Sequence, residues 1–239
     1  MLKIDLHIHT IASGHAHNTI LEYINQAVDL KMKMIGFSDH GSKTTESMIN
    51  ENYLSTMTRI PRSVKGIEIL RGIEANIIDG KGSLDVSDKM ISGKLDFVMA
   101  AIHPETYRDA GTKKNTEAMI NAIKSGKVNI LSHPFYEYYS VDVKKIFEEA
   151  CRHDILLEVN LNSIKKLKSD AKITANLKQM IQTAKKFNKK LIVGSDAHNI
   201  WDMADDSELK KIKKEIGLTD KMIINNYPKE LMQQLRIKD

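Results

Sequence analysis

Short apolar, β-branched runs alternate along this chain with stretches whose apolar residues return every three or four positions. The first pattern reads as strand and the second as amphipathic helix. The strand-like runs cover residues 3–9, 34–39, 68–76, 96–103, 128–133, 156–161 and 191–195. Helical periodicity covers 18–32, 45–64, 116–125, 141–153, 173–188 and 207–216. The segment 79–92, punctuated by Gly80 and Gly82, reads as a turn and a short helix. From Lys221 on, Met222, Ile223 and Ile224 predict a strand-like piece, and Leu231 and Leu235 a last helix. This rhythm is that of repeated βα units around a parallel sheet, an α/β fold.

The chain has 239 residues, within the range that α/β barrels occupy as one unit, and no low-complexity linker interrupts it. One domain spanning 1–239 is expected. With 41% hydrophobic and 28% charged residues, it can bury a core and keep a charged surface. The start, Met1-Leu2-Lys3-Ile4-Asp5, lacks the apolar stretch of a secretion signal, and no run approaches the roughly 18 residues of a membrane span. A cytoplasmic location without a membrane partner is expected. The lone Cys151 offers neither an internal disulfide nor a thiolate site, so any metal would be held by imidazole and carboxylate. The formal charge of +5 raises nucleic acid as a partner. The lysines, however, spread along amphipathic stretches (Lys165, Lys166, Lys168, Lys172, Lys178, Lys185, Lys186, Lys189, Lys190) with no interleaved aromatic residues, which reads better as solvated helix faces.

The histidines change the picture. His7 and His9 end the first run, His40 follows the second, His103 and His133 end the fourth and fifth, and Asp196 and His198 follow the seventh. Glu74 lies late in the third, while the sixth offers Asn160 and Asn162. In a parallel barrel the C-terminal strand ends are where converging loops build an active site. Residues two apart on a strand share a face, so His7 and His9 converge, as do Asp196 and His198. Imidazole suits zinc and also manganese, iron or nickel, and a carboxylate such as Glu74 can bridge two ions. One such histidine alone reads more readily as a core or surface residue than as a ligand; seven of the nine, counting His15 just beyond the first run, do not. His17 and His153 fall outside the pattern and read as structural or exposed. Alternation puts Asp5 on the face of His7 and His9, where it either orients an imidazole or makes a buried structural hydrogen bond. Arg71, three residues before Glu74, points to the other face and reads as half of a structural ion pair. Arg108 and Lys113 read as solvated loop charges.

Asp5-Leu6-His7-Ile8-His9-Thr10 resembles the first signature of the polymerase and histidinol phosphatase (PHP) superfamily, and the others follow in order: Ser38-Asp39-His40, Gly72-Ile73-Glu74, Ile102-His103, Ser132-His133-Pro134 and Gly194-Ser195-Asp196-Ala197-His198. Ala12-Ser13-Gly14-His15-Ala16, Arg71-Gly72-Ile73-Glu74-Ala75-Asn76 and Leu157-Glu158-Val159-Asn160 are similar to the small stand-alone phosphatases of the YcdX type. The resemblance implies a distorted seven-stranded (βα)7 TIM-like barrel, with a trinuclear centre at the C-terminal strand ends. It implies zinc, up to three ions per chain, with manganese or iron as alternatives.

Carried over by position, His7, His9, Glu74 and Asp196 hold one ion, Glu74 bridges to a second held by His103 and His133, and His15, His40 and His198 hold the third. The implied activity is hydrolysis of small-molecule phosphate monoesters by hydroxide bound to the metal held by His7, His9, Glu74 and Asp196. Relatives also suggest a homotrimer. The two carboxylates offset only part of the charge of three divalent ions, which independently favours an anionic substrate. The residues after His103, Pro104-Glu105-Thr106-Tyr107-Arg108, are this chain's own, so the match does not specify the substrate. Two rival readings are an amidohydrolase-type metal hydrolase and a PHP module acting on nucleic acid with a polymerase, or one that has lost catalysis. The Glu74 bridge and the Asp196–His198 pair argue against the first. The full ligand set argues against loss of catalysis.

Overall fold

The computed structural model describes residues 2–136, 138–167 and 170–237, so Lys168 lies outside the described residues. The strands are β1 (Ile4–Ile8), β2 (Met34–Phe37), β3 (Ser63–Val64), β4 (Ile67–Asn76), β5 (Phe97–Ala101), β6 (Ile130–Leu131), β7 (Leu156–Asn160) and β8 (Ile192–Gly194). The helices are α1 (Ile20–Asp29), α2 (Glu51–Thr56), α3 (Asp88–Gly93), α4 (Thr112–Lys124), α5 (Val143–Arg152), α6 (Leu161–Ile164), α7 (Ala171–Lys186), α8 (Ser207–Ile212) and α9 (Pro228–Gln234).

Seven strands pair in parallel in the order β1-β2-β4-β5-β6-β7-β8. The ring closes where Ile8 bridges Ala197: His9 N–H donates to the Ala197 carbonyl at 2.9 Å and Ala197 N–H to the His7 carbonyl at 3.2 Å. This is the expected distorted barrel. Six of the seven strand runs are trimmed, while the third starts one residue earlier, at Ile67; the fifth shrinks most, because His133 turns into left-handed backbone at φ 35° and the chain leaves the sheet.

Inside the barrel, Ile4, Leu6, Met34, Leu70, Phe97, Met99, Ile130, Leu156 and Ile192 form one buried cluster, which Ile224, Leu231 and Leu235 of the C-terminal segment close at the N-terminal ends of the strands. Strand alternation then carries the same inner face upward, from Leu70 to Glu74 and Asn76, and from Leu156 to Glu158 and Asn160. The apolar floor thus dictates which polar residues meet above it. Phe97 fills the middle, and a Cβ on Gly36 or Gly72 would overlap its ring. Outside, Ile35, Phe37, Ile69 and Val98 pack against Tyr23, Ile24 and Ala27 of α1 and neighbouring elements. Leu131, Leu157 and Val159 pack with residues of α4, α5 and α7. Full burial of such a side chain contributes about 1.5–3 kcal/mol.

The helix expected over 45–64 is not what forms. Only Glu51–Thr56 is α-helical, capped by Asn50 through its side-chain oxygen and the Tyr53 N–H. Pro61 follows, and the chain then pairs β3 antiparallel with β4. Lys65 (φ 52°) and Gly66 (φ 80°) supply the two left-handed residues that a tight hairpin turn requires. The tail's strand-like piece is a single bridge, Leu191 to Ile223, between short 3₁₀ turns. No helix among the described residues is long and apolar enough to cross a membrane.

Gly72→Ala is expected to destabilise the protein by about 1–3 kcal/mol, the usual cost of overpacking a filled core. Urea denaturation checks this, and Phe97→Leu in the same chain should recover part of the loss.

Candidate metal centre

The register of β1 slips between Asp5 and Ile8. Asp5 pairs with Ile35 on the outer side, while the rings of His7 and His9 turn into the mouth of the barrel. Asp5 therefore does not share their face, as plain alternation predicts. Its carboxylate accepts N–H groups from His7 (3.2 Å), Ser195 (3.1 Å) and Ala204 (3.1 Å), fastening β1 to the loop after β8. Of its two expected roles, the structural hydrogen bond is the one present.

The carboxylate that orients an imidazole is Glu158, on β7 and fully buried. Its Oε1 lies 2.6 Å from His7 Nδ1, and its Oε2 accepts the His133 N–H at 2.7 Å and the Asn160 amide at 3.0 Å. A Cβ on Gly194 would collide with that carboxylate and with His7, so glycine is what lets β8 pass so close.

Hydrogen-bond partners decide the state of three imidazoles. His7 Nδ1 faces a carboxylate oxygen and so carries a proton. Ser13 has one hydroxyl proton and gives it to Asp39 Oδ1 at 2.7 Å, so its oxygen must accept from His9 Nδ1 at 3.1 Å. Asn76 donates its amide to Thr44 and Asp85, which leaves Oδ1 to accept from His103 Nδ1 at 2.7 Å. In the neutral ring all three Nε2 atoms then present lone pairs to the centre, the arrangement in which second-shell groups hold metal-binding histidines.

Around those lone pairs the acceptors crowd. His7 Nε2 and His9 Nε2 are 3.0 Å apart, and both lie 3.3–3.5 Å from Glu74 Oε2 and Asp196 Oδ1. The other Glu74 oxygen, Oε1, lies 3.0 Å from His133 Nε2 and 3.8 Å from His103 Nε2. His40 Nδ1 approaches Glu74 Oε2 to 2.9 Å, yet the two are not aligned for a hydrogen bond and both are buried polar atoms without a hydrogen-bond partner. Further out, His15 Nε2 and His198 Nε2 lie 3.0 Å apart and their rings stack at 4.8 Å. A cation among these atoms satisfies lone pairs that otherwise oppose one another. Three sets converge tightly enough to hold an ion: His7, His9 and Asp196; His40, Glu74 and His103; and His9, His40 and His198. The donor set fits a metal cluster.

Electrostatics agree. Burial works against a charge on His7, but Glu158, Glu74 and Asp196 outweigh it and raise its pKa well above the ordinary value. His9, with less carboxylate support, is pushed well below by burial and then by His40. Burial, opposed by Glu74, takes His103 down to about 3. Burial resists ionisation of Glu74 too, and His7, His103 and His40 reverse it, holding the carboxyl well below its usual range. Glu74 is thus an anion among imidazoles, and a proton on His7 competes for the place a metal would take.

All nine residues singled out in sequence meet at this rim. Two of them, His133 (φ 35°) and Asp196 (φ 57°), reach it through left-handed backbone, a costly state for such residues. Asn160 touches it as well, donating to Asp196 Oδ2 at 3.3 Å, while Asn162 belongs to α6. His17 is exposed, and its backbone N–H donates to the His198 carbonyl at 2.8 Å. His153 is exposed and pairs with Glu149 at 3.3 Å. Arg108 and Lys113 are exposed. Arg71 does point away, but its guanidinium donates to the Ile60 carbonyl at 2.9 Å rather than to a carboxylate; nearby Asp96 accepts its backbone N–H at 2.7 Å and pairs with Arg62. Glu158, Ser13 and Asn76 were not recognised as supports. The one available signal was a charged residue alternating with Asn160 in an otherwise apolar strand.

The fold and site define a parallel α/β barrel with a histidine and carboxylate nest, able to hold metal, at its C-terminal rim. More particularly, the chain belongs to the PHP domain family, whose model matches residues 5–162. It is 35% identical over 235 residues to "Probable phosphatase YcdX" of Escherichia coli K12, covering 98% of this chain and 94% of that protein. It is 31% identical, over 98% of this chain and 95% of the relative, to a "Probable phosphatase" of Clostridium acetobutylicum. Among solved structures, histidinol phosphate phosphatase of Lactococcus lactis, in complex with zinc, L-histidinol and phosphate, shares the fold with a TM-score of 0.60 at 16% identity, covering 91% of this chain and 94% of that one.

Glu158→Gln keeps the shape of the side chain but weakens its hold on His7 Nδ1. Zinc affinity measured by competition with a chelator is expected to fall about 10–100-fold, with the folded circular dichroism spectrum retained.

Proposed function

We propose that this chain is a metal-dependent phosphatase acting on small phosphate monoesters. The observation that carries the reading is the set of preset imidazole lone pairs around a buried, hydrogen-bond-orphaned Glu74 oxygen. Its full-length similarity to proteins named as phosphatases supports the same conclusion. In this reading His7, His9, His15, His40, Glu74, His103, His133, Asp196 and His198 hold up to three zinc ions, and His7, His9, Glu74 and Asp196 hold the one closest to the chemistry. Such ions polarise phosphoryl oxygens and lower the pKa of water for attack on phosphorus.

The chain's own residues do the rest. Glu158, Ser13 and Asn76 keep three imidazoles in one tautomer, and Asn160 steadies Asp196. No protein nucleophile is required, because the attacking group comes from water. We further propose that the barrel constitutes a single PHP domain over 1–239, that it works in the cytoplasm, and that it forms a homo-oligomer.

Zinc reconstitution followed by elemental analysis should find two to three ions per chain, and affinity should fall as pH drops through the raised pKa of His7, since protons and metal compete there. Fewer than one equivalent would refute the cluster. Under saturating zinc, Glu74→Gln should lose most p-nitrophenyl phosphate hydrolysis, because an amide lacks the charge to bridge two cations. A well-folded variant as active as the parent would exclude that role.

His15→Ala should impair activity while His17→Ala leaves it nearly intact, although the two lie two residues apart. Steady-state rates of both variants decide this, and equal losses would show that the ring stack of His15 on His198 is not functional.

A further inference from the structure

The wall of the centre beside His133 is aromatic. Tyr138 stands edge-on to both His103 and His133, with ring centroids 5.7 and 5.8 Å away. It remains 43% exposed, so part of the ring borders the imidazoles and part borders the open mouth. Its place is built rather than incidental. Tyr136 packs against it edge-on at 5.1 Å, and the Lys166 ammonium lies 4.3 Å over the Tyr136 ring. The Tyr139 hydroxyl donates to the Pro104 carbonyl at 3.5 Å, which ties this loop to the one after β5.

The centre that this ring borders is rich in acceptors: the ring nitrogens of His103 and His133 and, beyond them, the Glu74 carboxylate. A neutral phenol adds a directed O–H donor, which none of those groups offers when holding a metal. During hydrolysis of a phosphate monoester, water oxygen forms the new bond to phosphorus. The bond from phosphorus to the bridging oxygen breaks with its electron pair going to that oxygen, which ends as the alcohol with a proton from solvent. Negative charge therefore builds up on the bridging oxygen, most strongly when the alcohol is a poor leaving group.

Resting on the phosphatase reading, we propose that the Tyr138 hydroxyl donates a hydrogen bond to the bridging oxygen of the ester, making it the residue that admits alkyl phosphates as substrates. Tyr138 keeps its proton throughout; it stabilises charge as charge appears.

The test compares the zinc-loaded full chain with Tyr138→Phe, which retains the ring and its packing. Ethyl phosphate is the demanding substrate and p-nitrophenyl phosphate, whose leaving group needs no such help, the undemanding one. Expected is a loss in kcat/KM on ethyl phosphate about tenfold greater than on p-nitrophenyl phosphate, the factor one neutral hydrogen bond supplies, carried in kcat. Zinc content and melting temperature should match the parent. Equal losses on both esters, or no loss on either, would overturn the proposal. If the parent releases phosphate from neither ester, the phosphatase reading fails, and this one with it.

Discussion

A carboxylate held beneath imidazoles in a dry barrel is the constraint on which the rest depends. Glu158 sits with no solvent exposure between β1, β6 and β8, where it bonds the His7 ring, the His133 backbone and the Asn160 amide at once. Burying a charge this deeply is tolerable only when every oxygen is satisfied, and its partners are the groups that shape the rim. Gly194 leaves room for it, and the left-handed turn at His133 aims that residue's N–H toward it. The same side chain fixes the His7 tautomer.

A second chain of bonds works from the opposite wall. Asp39 accepts the Thr10 N–H, the Thr10 hydroxyl and the Ser13 hydroxyl; Ser13 in turn accepts from His9 and from the His40 N–H. Asp85 does the equivalent for Asn76 and, through it, His103. Three carboxylate-led networks, headed by buried Glu158 and Asp39 and half-buried Asp85, thus converge on imidazoles whose outward nitrogens point to the centre. This is pre-organisation: the geometry a cation needs is maintained by groups that never touch it, and electrostatic work is done at folding rather than at binding. The tyrosines after β6 extend the same logic to the substrate side, where a donor rather than an acceptor is wanted.

The chain's membership in the PHP family and its likeness to named phosphatases agree with this picture, but they bear on it differently. Family similarity extends over nearly the whole chain rather than over the rim alone. The loop after His103 carries Glu105, which accepts the Thr45 N–H at 2.8 Å and borders the rim from the β5 side. Glu105, together with Tyr138, borders the approach to the centre.

Much was legible in the linear order of residues, since βα periodicity and the recurrence of histidine at strand ends both follow from local geometry. Alternation of period two predicted the inward Glu74 and the outward Arg71 correctly, because β4 is long and regular. It failed at Asp5, where a slip in the β1 register reversed the face, and no propensity signals such a slip. It also missed the hairpin of β3, because Pro61 and the β3 residues Ser63 and Val64 fall within the helical period read over 45–64, which stops just short of the Lys65–Gly66 turn. Tertiary structure alone decided the rest: which nitrogen of each imidazole carries its proton, that Glu158 rather than Asp5 holds His7, and that Tyr138 stands beside His103 and His133. Each depends on residues distant in sequence meeting across the barrel, and a one-dimensional pattern carries no record of those distances.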